Sequence, residues 1–234
     1  MEQATIAERL GLVRERVEQA LQRSARSGDN VTIMAVTKTQ TSALIRAAYD
    51  AGIRCFGENR VQEAAQKYTL LLRECPDLDL QMVGHLQRNK TRDAVELFST
   101  VQSIDKPATL EALQNWCRKS ECRMDVLIEY NTSGEDTKYG VTSSGALSAC
   151  VEQALRMDRL QLRGLMTIGP FTDDRNAIRG AFQTLAAHFF EIRGRFAPDS
   201  FDTLSMGMSN DYEIAVEEGA TMIRLGTVLF GPRG

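Results

Sequence analysis

Apolar positions along the chain change period repeatedly, and the changes carry the first structural information. Over residues 2–27, Ile6, Leu10, Val13, Val17, Ala20 and Leu21 recur at mostly three- and four-residue steps, the signature of an amphipathic helix. Gly28 and Asp29 then stop it. From there short apolar runs alternate with longer helical patterns. The spacing predicts strands over 32–37, 53–56, 80–84, 100–104, 124–130, 162–168, 201–205 and 222–229. It predicts helices over 42–51, 59–73, 89–97, 107–120, 143–156, 175–195 and 211–218. Eight strands taking turns with helices imply right-handed crossovers and a parallel sheet covered by helices. With no long linker and no change of composition, a closed single-domain (β/α)8 barrel is the expected α/β architecture, with an open doubly wound sheet as the alternative. The expected layout is one domain over 1–234: an extra N-terminal helix over 1–28 and the barrel over 31–231.

Composition narrows the class. Of 234 residues 43% are hydrophobic and 25% charged, the balance of a folded globular chain. A net charge of −3 supplies no global positive field for nucleic acid or an anionic membrane. Five cysteines without a CxxC pair argue against a disulfide framework or a zinc site. Neither a signal-peptide core nor an apolar stretch of membrane-spanning length is visible, so a cytoplasmic location is expected.

In either architecture ligands bind where the carboxyl ends of strands meet the following loops. The residues there are largely polar: Lys38, then Gly57-Glu58-Asn59, His85-Leu86-Gln87, Asp105-Lys106, Asn131-Thr132-Ser133, Thr167, Met206-Gly207-Met208-Ser209 and Gly231. Each also has an ordinary reading. A lysine after a strand can be its first solvated residue, His85 can be structural, Asn59 can cap a helix, and Arg224 can belong to an ion pair. Backbone N–H groups at a helix start form an anion site, and loops around the seventh and eighth barrel strands often bind phosphate. Ser209, Gly226 and Thr227 are placed for that role. A closed barrel makes strands one and eight neighbours, so Lys38 would face this phosphate cradle. An aldehyde cofactor carrying a phosphate suits the pair, and pyridoxal 5′-phosphate is the common case.

The stretches AVTKTQ, FGENRVQEAAQK, GHLQRNK, SIDK, GEDTKYG, RGLMTIGP and SMGMSNDYEIAVEEGATMIRLGTVLFG resemble the pyridoxal phosphate homeostasis proteins, relatives of the alanine racemase barrel domain. The resemblance covers the chain in order from Thr32 to Gly231. It implies a modified (β/α)8 TIM barrel of pyridoxal-phosphate fold type III, with the cofactor joined to Lys38 as a Schiff base. It implies phosphate contacts from Ser209, Gly226 and Thr227, ring contacts from Asn59 and Met206, and Arg224 at the ring nitrogen. His85, Lys138 and Ser205 are secondary candidates. The racemases use a second base, a tyrosine of a separate β domain, and a histidine after strand six. The sequence stops at Gly234 and carries Met166 and Thr167 near the histidine position. The expected function is therefore a noncatalytic carrier or buffer of pyridoxal phosphate in vitamin B6 and amino-acid homeostasis. Weak racemase activity is the alternative, and noncovalent binding of a phosphorylated metabolite the third. Apo forms of pyridoxal-phosphate enzymes are the implied recipients, and a monomer the expected state.

Overall fold

Thr5 opens the first helix by a capping box with Glu8, each side chain taking the other's backbone N–H, which satisfies donors that the first turn cannot. The computed structural model describes residues 4–135, 139–196 and 200–231. Helix α1 (Ile6–Arg23) buries Leu10, Val13, Val17, Ala20 and Leu21 on one face. That face lies against the last two helices of the chain.

Eight parallel strands follow: β1 (Thr32–Val36), β2 (Cys55–Glu58), β3 (Asp79–Met82), β4 (Thr100–Ile104), β5 (Met124–Glu129), β6 (Leu160–Met166), β7 (Thr203–Ser205) and β8 (Met222–Leu225). They pair in chain order, and β8 returns to β1 with Ala35 opposite Leu225. The sheet is thus a closed barrel, as the alternation predicted. Helices α2 (Ser42–Asp50), α3 (Val61–Glu74), α4 (Thr91–Leu97), α5 (Pro107–Lys119), α6 (Ser144–Leu155), α7 (Arg175–Phe196), α8 (Tyr212–Glu217) and α9 (Thr227–Phe230) cover it. The main apolar core lies between strands and helices, with Phe56, Tyr68, Phe182 and Phe201 among its largest fully buried side chains. A second cluster, Met34, Cys55, Val83 and Met222, is separate from it, and beside it runs a line of hydrogen-bonded polar side chains.

Several element ends differ from the sequence expectation for local reasons. β1 stops at Val36, so Lys38 lies in the turn after the strand. β2 starts two residues late because Gly52, at φ +96°, closes α2 and leaves Ile53 as a buried link. The apolar run after Leu225 does not continue β8: it turns at Gly226 into α9. Asn59 is not a helix cap, since α3 begins at Val61 with Arg60 in the capping position.

One close approach ties the fold to the mouth. A Cβ on Gly84 would lie 2.4 Å from the carbonyl oxygen of Asn59 and 2.7 Å from its Cα, so the end of β3 touches the β2–α3 link only because residue 84 has no side chain. Gly84→Ala is expected to cost about 1–3 kcal/mol through forced backbone separation. A lower urea midpoint at unchanged slope would register it.

Candidate functional site

Lys38 is half-buried in the turn that follows β1. The residue before it, Thr37, is fully buried, and its hydroxyl lies 2.6 Å from both Glu58 Oε1 and the Tyr68 hydroxyl. Burial raises the Glu58 carboxyl, while hydrogen bonds from Lys67 and Thr37 pull it back. The floor of the Lys38 turn is therefore a packed polar network.

Alongside it, the loops after β7 and β8 converge. Ser209 Oγ accepts the Gly226 N–H at 3.3 Å and the Val228 N–H at 3.4 Å. Thr227 is exposed between them. The β7 loop is held by Gly207, at φ +93°, where a Cβ would sit 2.5 Å from that of Ala215. Arg224 N–H donates to the Gly207 carbonyl, and Met208 N–H donates to Asp211 Oδ1. β1–β8 pairing brings this cradle to Lys38: an ideal Cβ on Gly226 is 3.6 Å from the Val36 carbonyl. A hydroxyl already collects two backbone N–H groups there, which is the donor geometry a phosphate oxygen needs.

Arg224 is 4% exposed. Its Nη1 donates to Ser205 Oγ at 2.7 Å and its Nη2 to the Thr167 carbonyl at 2.6 Å, two of the five N–H groups that a guanidinium offers. Ser205 donates onward to Gln102 Oε1, and Gln102 to Gln81 Oε1. Burial lowers Arg224 to about 10, with Asp211 and Glu129 acting against that shift, so it stays cationic at neutral pH. Glu129 is pushed up to about 7 by burial, Arg224 pulling it down and Asp105 pushing it further up.

The sequence-predicted residues divide. Ser209 and Gly226 are hydrogen-bonded beside Thr227, Gly226 lies against the Val36 carbonyl two residues before Lys38, and Ser205 joins Arg224 directly. Asn59 is half-buried under Gly84. The Met206 side chain is fully buried and belongs to the main apolar core. His85 lies elsewhere on the rim, its Nδ1 3.5 Å from Asp105 Oδ2 and its ring stacked on Tyr139 at 3.9 Å. Lys138 lies outside the described residues. Glu129, Gln102 and Asp211 were not foreseen. Of these, Glu129 carried the signal already used for Lys38, a charged residue closing an apolar strand. Among the described residues, no cluster of His, Cys, Asp or Glu is suited to a metal ion, and no helix is long and apolar enough to cross a membrane.

Fold and site together define a closed (β/α)8 barrel with Lys38 in the turn after β1, Ser209 bonded to Gly226 in the loops after β7 and β8, and Arg224 buried in β8. The chain belongs to the family described as alanine racemase, N-terminal domain, which matches residues 9–234, and within it to the pyridoxal phosphate homeostasis proteins. It is 37% identical over 228 residues to the pyridoxal phosphate homeostasis protein of Aquifex aeolicus, covering 97% of each chain. To that of Pseudomonas aeruginosa it is 38% identical over 232 residues, covering 98% of this chain and 96% of the relative. The structure of PipY from Synechococcus elongatus with PLP bound superposes with a TM-score of 0.84 at 35% identity, covering 97% of this chain and 100% of that one.

Proposed function

We propose that this chain binds pyridoxal 5′-phosphate at the barrel mouth and carries or buffers it in intracellular vitamin B6 and amino-acid homeostasis, without strong catalysis of its own. The observation that carries the reading is the convergence of the Lys38 turn with the Ser209–Gly226 cradle across the β1–β8 seam. The homeostasis relatives and PLP-bound PipY point the same way.

The residues present fit the group. Ser209 with the N–H groups of Gly226 and Val228 would hold the phosphate, joined by the exposed Thr227 hydroxyl. Lys38 would be the covalent attachment point and Asn59 a ring neighbour. Arg224 has donors beyond those given to Ser205 and Thr167, and as a cation it would face the ring nitrogen and keep it unprotonated. When bound, the cofactor supplies an aldehyde electrophile and an electron-withdrawing ring. A cationic partner at the ring nitrogen weakens that withdrawal, which suits holding over turnover. We read residues 31–231 as one binding domain with α1 as an accessory, working as a monomer in the cytoplasm and passing the cofactor to apo-enzymes. Free thiols at Cys55, Cys75, Cys117, Cys122 and Cys150 suit a reducing compartment.

Weak racemase activity is the competing reading, and Glu129 favours it: a buried carboxyl titrating near 7 can exchange protons at neutral pH. Against it, Met166 and Thr167 at the end of β6 are fully buried and nonbasic. The two readings separate in deuterated water. Loaded protein with L-alanine is expected to show negligible α-deuteration while still reactivating an apo-enzyme. Rapid stereorandom labelling would establish the racemase instead.

A further inference from the structure

Thr39 has φ +65°, one of three non-glycine residues with a positive φ among the described residues. It follows Lys38 in a turn closed by the Gln40 N–H on the Thr37 carbonyl. The third position of such a turn favours glycine or asparagine when φ is positive, and a β-branched residue there is strained. Strain of this kind persists only where surroundings enforce it. Here the Thr39 hydroxyl donates to the Lys38 carbonyl at 2.6 Å, and further enforcement comes from one helix. Glu63 Oε1, on α3, accepts the Thr39 N–H at 2.5 Å. One turn later Lys67 Nζ donates to the Thr37 carbonyl at 2.8 Å. Lys67 also pairs with Glu63 at 2.9 Å and with the fully buried Glu58 at 2.6 Å. The peptide groups on both sides of Lys38 are thus gripped by two side chains that grip each other.

We propose that Glu63 and Lys67 form a clamp that holds the Lys38 turn in its capture conformation, making them positioning residues for cofactor attachment. The inference rests on Lys38 being the attachment point. In that step the lysine nitrogen replaces the aldehyde oxygen, which leaves as water, and nothing is oxidised or reduced. The clamp takes no part in this exchange of bonds. It sets how often the amine stands where capture can begin, so its loss lowers the apparent rate and affinity by the fraction of time the turn departs.

Cofactor-free protein mixed with pyridoxal phosphate, quenched with borohydride at timed intervals and mapped by mass, gives the capture rate at Lys38. Glu63→Ala is expected to slow it by roughly five- to thirtyfold, the factor by which an unheld L-residue leaves the left-handed region. Glu63→Gln keeps an acceptor for the Thr39 N–H but loses the charge facing Lys67, and falls between. Adding Thr39→Gly to Glu63→Ala restores most of the rate, because glycine holds a positive φ unaided. An unchanged rate in Glu63→Ala, or no recovery in the double variant, overturns the proposal. Hydrogen exchange in the cofactor-free chain reads the clamp independently: the Thr39 amide is protected in the wild type and unprotected in Glu63→Ala. A rapidly exchanging wild-type amide overturns the clamp even where loading is normal. Failure of the wild type to load at Lys38 strikes the attachment reading alone and leaves the clamp to be decided by exchange.

Discussion

Lys38→Ala abolishes the borohydride-fixed pyridoxal adduct and leaves the fold intact. The half-buried side chain sits in a turn outside the main core, so the urea midpoint should move little. If Ser209 holds the phosphate as proposed, weak noncovalent binding is expected to survive. Among the described residues the lysine nearest to the turn, Lys67, is already engaged by Glu58, Glu63 and the Thr37 carbonyl. Lys38→Arg fails in the same way, since a guanidinium does not deprotonate near neutral pH and so is no nucleophile there. Mass mapping after reduction at stoichiometric cofactor is the measurement, and a wild-type-sized adduct on any other residue of Lys38→Ala would sink the assignment.

The barrel was legible because its signal is periodic: eight apolar runs separated by helix-length patterns leave few topologies. Element ends were less so. The apolar run Val228-Leu229-Phe230 reads as more strand, and only the backbone turn at Gly226 converts it to α9. Lys38 and Arg224 were singled out because a charge stands out against the apolar positions of β1 and β8, and Ser209 because it sits in a small polar loop ahead of a helix. The interior relay was not. Ser205 meets Gln102 across a separation of 103 residues, and nothing local in either strand announces the partner. The clamp on Lys38 was hidden for a different reason. Glu63 and Lys67, four apart, read as an ordinary surface pair on a helix, and their second role depends on how α3 lies against the turn.

Arg224→Leu is the substitution expected to cost the most stability. It removes the cation facing two buried carboxyls, Glu129 and Asp211, and strips Ser205 and the Thr167 carbonyl of their donor. Leaving buried hydrogen-bonding groups without their charged donor costs about 1–3 kcal/mol each. The loss depends on pH in a direction set by Glu129. Its carboxyl is raised from 4.5 to about 7 in the folded protein, so between those values the native state holds more protons than the unfolded chain. Stability therefore falls as pH rises through that window. Without Arg224 nothing pulls the carboxyl back, the window extends above 7, and the urea midpoint of Arg224→Leu should drop more steeply from pH 6 to 8 than that of the wild type. Adding Glu129→Gln removes the buried charge, so the double variant should recover part of the loss and show a flatter profile. Urea titrations across this range decide it: equal slopes for wild type and Arg224→Leu would mean that Glu129 does not answer to Arg224, and the charge balance assigned to the barrel interior would be wrong.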